Sequence, residues 1–214
     1  FAAGKIAGVQ TIKVLEITEF GCILDTMRKN VLIQPEPTIL AQKDTIICSG
    51  TSLVIGQNVE PNREYRWTPG LGLNDSTISQ PTFFWLNRNT VDDTLVFFRK
   101  VINTITGCLS YDTFSIRVHP LPLVFAGNDT SFCTDFSHQI GELPRSGYRY
   151  LWQTNLGLTN DTISNPILSL NNLSDTLQRF PYIIRATEPL FGCSWQDTVM
   201  VGIKPLPKPW AGPD

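Results

Sequence analysis

Histidine and methionine are almost missing, with two of each in 214 residues. That scarcity excludes most imidazole-based catalysis and metal chemistry. Charge is also thin: Asp, Glu, Lys and Arg make up 17% of the chain, against about a quarter in ordinary soluble domains. The formal net charge is -2, so there is no basic footprint for nucleic acid and no polybasic membrane patch. No apolar run approaches the roughly 18 residues of a spanning helix, which argues against membrane insertion. No charged-then-apolar leader opens the chain. Gly-x-Ser-x-Gly, a phosphate-binding glycine loop and His-Glu-x-x-His are all missing. His119 and His138 have no evident catalytic partner and read as an exposed linker residue and a solvent-facing strand residue. Asp92-Asp93 reads as a solvated turn. The expectation is a non-catalytic chain without a cofactor or a metal.

What the sequence does contain is a copy of itself. Shifted so that Cys48 falls on Cys133, it also brings Cys108 onto Cys193, and Tyr65 and Trp67 onto Tyr150 and Trp152. Leu71-Gly72-Leu73 falls on Leu156-Gly157-Leu158, and Pro120-Leu121-Pro122 on Pro205-Leu206-Pro207. The register slips by three around Asp93 and then recovers. Gly21-Cys22 and Pro35-Glu36-Pro37 match the end of a unit, and Trp210-Ala211-Gly212-Pro213-Asp214 matches Phe125 to Asp129. Self-similarity at a fixed period marks a tandem array. The expected organisation is the C-terminal part of a preceding repeat at 1–37, whole repeats at 38–122 and 123–207, and the start of another at 208–214. The chain reads as a window on a longer polymer.

Each unit reads as all-β. Phe114, Ile116 and Val118 alternate with polar neighbours, as do Val199, Val201 and Ile203. Period two means one buried face. Short strand candidates at 45–48, 51–56, 64–68, 78–85 and 94–102 are separated by Gly, Pro, Asn and Asp clusters. There is no sustained three-four periodicity. Six or seven strands in a unit of roughly 85 residues match an immunoglobulin-like β-sandwich, with Trp67 and Trp152 in its core. Pro-x-Pro at each junction makes a short, stiff spacer. Leu40, Phe125 and Trp210, just beyond it, could pack one domain's end on the next, giving a rod of beads.

Five cysteines are odd only until the repeat is seen. The step from Cys48 to Cys108 equals the step from Cys133 to Cys193. The expected bridges are therefore 48–108 and 133–193, one per domain, with Cys22 paired outside the window. With four strands between them, both cysteines of a unit lie at one end of the sandwich; a seven-strand count breaks that parity. Closing a loop of roughly 60 residues stabilises by about 4 kcal/mol in the chain-entropy model. Paired structural cysteines place the protein outside the cytosol. Zinc is not expected, since there is no Cys-x-x-Cys.

Nine of the twelve aspartates precede Ser or Thr. Turn chemistry is one reading, because Asp and Thr side chains bond nearby amides. The other is modification. Seven such pairs continue with Ile, Leu, Val, Met or Thr, and these hold Thr26, Thr45, Ser76, Thr94, Thr162, Thr176 and Thr198. Their pattern resembles the O-glycosylation signal of secreted Bacteroidota proteins. Asn74, Asn128, Asn160 and Asn172 head Asn-x-Ser/Thr sequons. Asp44 and Asp129 could bind calcium, though no acidic cluster supports it.

Ala126-Gly127-x-Asp129-Thr130, Cys48-x-Gly50, Tyr65-x-Trp67-x-Pro69, Leu-Gly-Leu, Gly-Cys and Pro-Leu-Pro together resemble the PKD-like and Ig-like repeats of giant Bacteroidota surface proteins. These include gliding-motility adhesins and hook-like filament proteins. The second unit departs from that pattern at Thr154 and Asp135. The resemblance implies type IX secretion, cell-surface attachment and work as an adhesin or extended stalk. The leading expectation is an extracellular structural array, a homo-oligomer or filament of parallel chains, with surface glycans as partners. The competing expectation is a spacer or carbohydrate-binding module of a secreted hydrolase. Against it, Trp85 matches Leu170 and Trp195 matches Ser110, so no sugar-stacking platform repeats. Those two tryptophans could instead mark lateral contacts between chains.

Overall fold

The computed structural model describes residues 7–207 and Gly212. Trp210 and most of the 208–214 segment lie outside the described residues. A hairpin comes first, β1 (Gly8–Ile17) against β2 (Ile23–Ile33). The first repeat follows: β3 (Thr45–Cys48), β4 (Leu53–Val54), β5 (Arg63–Thr68), β6 (Thr82–Phe83), β7 (Asp93–Asn103) and β8 (Leu109–His119). The second repeats that order: β9 (Thr130–Cys133), β10 (Ser137–Gln139), β11 (Arg149–Trp152), β12 (Ile167–Ser169), β13 (Gln178–Thr187) and β14 (Ser194–Lys204). The four-stranded sheets have matching orders, β3-β8-β7-β5 and β11-β13-β14-β9. The matching small sheets are β4-β6 and β10-β12. The protein is all-β, with two sandwich-like domains.

Contacts divide the chain into two compact units. One holds Thr51–Trp85 and Thr94–Ile116 with the chain up to Thr45; the other holds Ile46–Gly50, Leu86–Asp93 and everything from Arg117 onward. The division therefore does not follow the period of the sequence. One end of the first repeat belongs, by its contacts, with the second repeat.

The alternation seen in the sequence places the cores. Phe114, Ile116 and Val118 on β8 are buried, as are Val199, Val201 and Ile203 on β14. Trp67 and Trp152 are buried as expected, and each ring N–H donates to a carbonyl eleven residues on, Ile78 O at 2.8 Å and Ile163 O at 2.9 Å. Above each indole a glycine is obligatory. Gly56 and Gly141 have φ of 94° and 83°. A Cβ on either would run into a backbone carbonyl, Ser79 O or Ser164 O, and into the indole edge. The side chains of Leu40 and Phe125 are exposed. Their backbones do the anchoring. Leu40 N–H donates to Gln57 Oε1 at 2.9 Å and Phe125 N–H to Glu142 Oε1 at 3.3 Å.

Candidate functional site

Several aspartates of the Asp-Ser and Asp-Thr pairs act as backbone clamps. Asp44 Oδ1 accepts the N–H of Ser115 at 2.7 Å, and its counterpart Asp129 Oδ1 accepts that of Met200 at 2.8 Å. Asp112 Oδ2 and Asp197 Oδ2 take the amides of Gln42 and Ala126, at 2.9 and 2.8 Å. Asp75 Oδ1 accepts both the hydroxyl and the N–H of Thr77, which hold its carboxyl below the ordinary value. Asp44 and Asp129 thus spend an oxygen on pinning strands. Among the described residues no three His, Cys, Asp or Glu stand together as a metal site. The hydroxyl-bearing residues read as modification sites are mostly accessible: Thr26, Thr94, Thr162, Thr176 and Thr198 are exposed or half-exposed, while Thr45 and Ser76 are half-buried. Of the sequons, Asn172 is buried, and its amide bonds Thr176 O and Ile203 O at 2.7 Å each. That side chain has no room for a glycan.

The cysteines correct the sequence reading. Bridges 48–108 and 133–193 are not formed. Cys48 is bonded to Cys193, 145 residues away, with Cα atoms 5.5 Å apart. Cys22, Cys108 and Cys133 carry free thiols. Strand parity explains the difference. Leu158 makes a single antiparallel bridge to Leu168, flanked by Ser169 N–H to Gly157 O and Thr159 N–H to Ile167 O, each 2.9 Å, and so adds one more pass of the chain. With that extra reversal, β9 runs parallel to β14, and Cys133 lies opposite Lys204 at the strand's far end. Cys193 precedes Ser194 at the near end of this 11-residue strand. At about 3.3 Å per residue the two cysteines are ~35 Å apart. A disulfide needs Cα atoms within about 7 Å. Each unit therefore carries one cysteine at each end. The bridge joins the far-end cysteine of the first repeat to the near-end cysteine of the second.

Both partners are held by hydrogen-bonded local frames. At the Cys48 end, Ser49 N–H donates to His119 O at 2.8 Å, and Asn87 N–H to Ser49 Oγ at 2.9 Å. The Asn87 side-chain amide closes onto Val91 O and Val118 O at 2.8 and 2.7 Å. Cys193 sits on the β13–β14 turn, where Glu188 N–H donates to Cys193 O at 2.8 Å and Gly192 N–H to Glu188 O at 2.9 Å. The Glu188 carboxylate accepts the N–H groups of Phe191 (2.8 Å) and Leu190 (2.7 Å). Those two amides hold its carboxyl below the ordinary value.

A polar and aromatic cluster links the end of β8 to the turn that carries Cys193. His119 Nδ1 lies 2.6 Å from Asp92 Oδ1 and its Nε2 3.8 Å from Glu188 Oε2. Its ring meets Phe191 at 4.6 Å between centroids. Arg117 bonds Asp92 Oδ2 at 3.2 Å and lies over the Phe191 ring at 5.7 Å. This corrects two expectations. His119 is a half-buried end-of-strand residue rather than an exposed linker, and Asp92 is an ion-pair partner rather than a solvated turn. His138 is exposed on β10, as expected. A groove of about 280 Å³ runs beside the cluster, with Leu86, Pro120, Leu121, Leu123 and Trp195 among its lining. Trp85 is half-buried. Nothing local in the sequence announces the cluster. Its only trace is variation between the copies, since His119 aligns with Lys204 and Glu188 with Asn103.

No protein-family model matches the chain, and no curated protein matches it significantly. Solved structures do resemble it. The extracellular cadherin domains 1–4 of protocadherin gamma B7 match 92% of this chain at 10% identity and a TM-score of 0.31. A SusE-like, surface-located polysaccharide-binding protein from the heparin utilisation locus of Bacteroides thetaiotaomicron matches 92% at 10% identity and 0.40. A three-Ig fragment of titin matches 97% at 9% identity and 0.36, over 84% of its own length. The chain spans 58% and 43% of the first two proteins.

Proposed function

We propose that the chain is a structural repeat segment of a giant secreted surface adhesin or extracellular filament, and that it mediates attachment, in gliding or in capture of prey or surfaces. In this reading residues 1–37 close a preceding repeat, 38–122 and 123–207 are whole repeats, and 208–214 begin the next. The hairpin β1–β2 supports this: Val14, Met27 and Leu32 are exposed apolar side chains on a strand pair that aligns with β7–β8 and β13–β14. The observation that carries the proposal is the Cys48–Cys193 bridge. It ties consecutive repeats covalently and withholds 145 residues, roughly 500 Å of contour at about 3.4 Å each, from any force applied to the chain ends. That property serves a load-bearing string. A bridge of this kind also belongs to an oxidising compartment, in keeping with type IX export to the cell surface. The accessible Thr26, Thr94, Thr162, Thr176 and Thr198 would carry sugars that shield an exposed string from proteases, and parallel chains would associate laterally. Antibody raised against the chain should decorate cell-surface fibres in electron micrographs, and deletion of the gene should abolish attachment; intact attachment with unlabelled fibres refutes the reading. Glycopeptide mapping of native protein checks the sugars.

One observation favours the competing reading as a carbohydrate-binding module. Trp195 is 45% exposed on the wall of an apolar groove, as a sugar-stacking residue would be. Titration with polysaccharides, with Trp195→Ala as control, separates the two: saturable binding lost in the variant supports the module.

A further inference from the structure

We infer that Cys133 and Cys108 are the two halves of further bridges of the Cys48–Cys193 kind. Cys133 pairs with the Cys193-type cysteine of a following repeat, and Cys108 with the Cys48-type cysteine of a preceding one. Each repeat is then bonded to both neighbours and holds no bridge of its own.

The free cysteines are presented as the bonded ones are. Around Cys133, Thr134 N–H donates to Lys204 O at 3.0 Å, as Ser49 does to His119. Asn172 N–H donates to Thr134 Oγ1 at 2.9 Å, as Asn87 does to Ser49. The Asn172 amide caps Ile203 O at 2.7 Å, as Asn87 caps Val118. Around Cys108, Asn103 N–H donates to Cys108 O at 2.9 Å and Gly107 N–H to Asn103 O at 2.8 Å. This is the Glu188–Cys193 turn again. Cys22 ends the same kind of turn, with Thr18 N–H donating to Cys22 O at 2.9 Å. The sites are built in advance; what each lacks within residues 1–214 is a cysteine 145 positions along the chain.

Such links change the mechanics. If both Cys108 and Cys133 are bridged outward, the covalent path between them is roughly 25 residues, ~85 Å when taut. Much of that path already lies extended in β8 and β9. Little slack remains, so an array linked in this way lengthens little even when its repeats unfold. The inference rests on the pairing rule alone; an adhesin and a hydrolase spacer would be linked alike.

The test is an in-register extension. Asp214 aligns with Asp129, so a copy of residues 130–207 placed directly after Asp214 completes one more repeat. The chain is oxidised in reduced and oxidised glutathione. Each bridge forms as two thiols lose two protons and two electrons, and the electrons reduce glutathione disulfide to two glutathiones. Non-reducing peptide mapping should show Cys48–Cys193 and a second bridge from Cys133 to the Cys193 counterpart of the added copy. Cys133 should become protected from alkylation in the extended chain while remaining alkylatable in the 214-residue chain. In the extended chain, Cys133→Ser should leave the Cys193 counterpart of the added copy alkylatable and Cys48–Cys193 intact. The Cys48–Cys193 peptide is the internal standard for folding. A free Cys133 alongside it overturns the inference, as does Cys133 bonded to Cys193. Loss of both expected bridges from an oxidised, folded sample overturns the pairing rule itself.

Discussion

The two repeats share a frame and fill it differently. Tyr65, Trp67 and Ile55 recur as Tyr150, Trp152 and Ile140, all buried. Elsewhere the first repeat uses aromatics where the second uses smaller side chains: Phe83 against Leu168 and Phe114 against Val199. Phe97 stacks on Phe114 at 5.8 Å and meets Phe83 edge-on at 5.6 Å. The sharpest difference is Arg99, fully buried, where the second repeat has Ile184. Arg99 Nη2 bonds Leu40 O at 2.6 Å and Asp112 Oδ2 at 3.1 Å, and its guanidinium lies 5.3 Å from the Trp67 ring centroid. Its Nε and Nη1 have no partner. Burial pulls its pKa down while Asp112 pushes it back up. The same sheet order therefore tolerates a charge or a hydrocarbon at its centre, because the strand clamps and the indole–glycine contact are common to both.

The largest test of this comparison is to untie the repeats. Closing a 145-residue loop is worth ~5 kcal/mol in the chain-entropy model. Cys48→Ser and Cys193→Ser should lower stability alike, and the two repeats should then melt separately in calorimetry, exposing their different cores. Cys108→Ser and Cys133→Ser should leave the transition of the 214-residue chain where it was. Pairing within each repeat would make all four variants equivalent.

Next in size is the charge. Asp112→Ala leaves Arg99 buried without its counter-ion, a loss of about 3–5 kcal/mol. Asp197→Ala removes only an acceptor for Ala126 N–H, about 1–3 kcal/mol. Arg99→Met should be near neutral, since replacing a buried ion by hydrocarbon often is. Urea unfolding of the three variants gives the ranking, and equal losses for the two aspartate variants would show that Arg99 gains nothing from Asp112.

Smaller, and the same in both repeats, is the glycine above the indole. Gly56→Ala and Gly141→Ala each place a side chain in left-handed backbone, which costs about 1–2 kcal/mol, besides the collision with Ser79 O or Ser164 O. Thermal denaturation should show similar losses. A harmless substitution in one repeat only would mean that the two frames differ where they look alike.

Much of this frame was legible in the sequence. Period-two runs located β8 and β14, and the offset that carries Cys48 onto Cys133 matched the core positions because burial depends on strand register. The bridge was not legible, for a reason inherent to tandem repeats. For Cys48, the partners Cys108 and Cys193 differ by one period of the array. Equal spacings therefore cannot tell pairing within a unit from pairing across units. The decision fell to one extra pass of the chain at Leu158, which periodicity does not register because it is a single bridge to Leu168. The cluster of Asp92, His119 and Glu188 was hidden because tertiary folding alone assembles residues so distant along the chain.

The smallest predicted effect contrasts two copies of one turn. In the first repeat Asn103 Oδ1 accepts the N–H groups of Ile105 and Thr106, at 3.0 and 3.3 Å. In the second, the Glu188 carboxylate does the same for Leu190 and Phe191. Asn103 is uncharged at every accessible pH. Glu188 has a folded-state pKa below its unfolded value of 4.5, first through the Phe191 N–H and then the Leu190 N–H. A depressed carboxyl contributes stability that is fully present above the unfolded value and is lost as pH falls through the folded one. Acid should therefore loosen the 188–193 turn and leave the 103–108 turn unchanged. Amide hydrogen exchange at pH 5 and at pH 3, corrected for intrinsic rates, should show Phe191 and Gly192 losing protection while Thr106 and Gly107 keep theirs. Glu188→Gln should remove the difference. If both turns loosen together, the carboxylate is not what holds the second one, and the acid sensitivity belongs to the strands behind it.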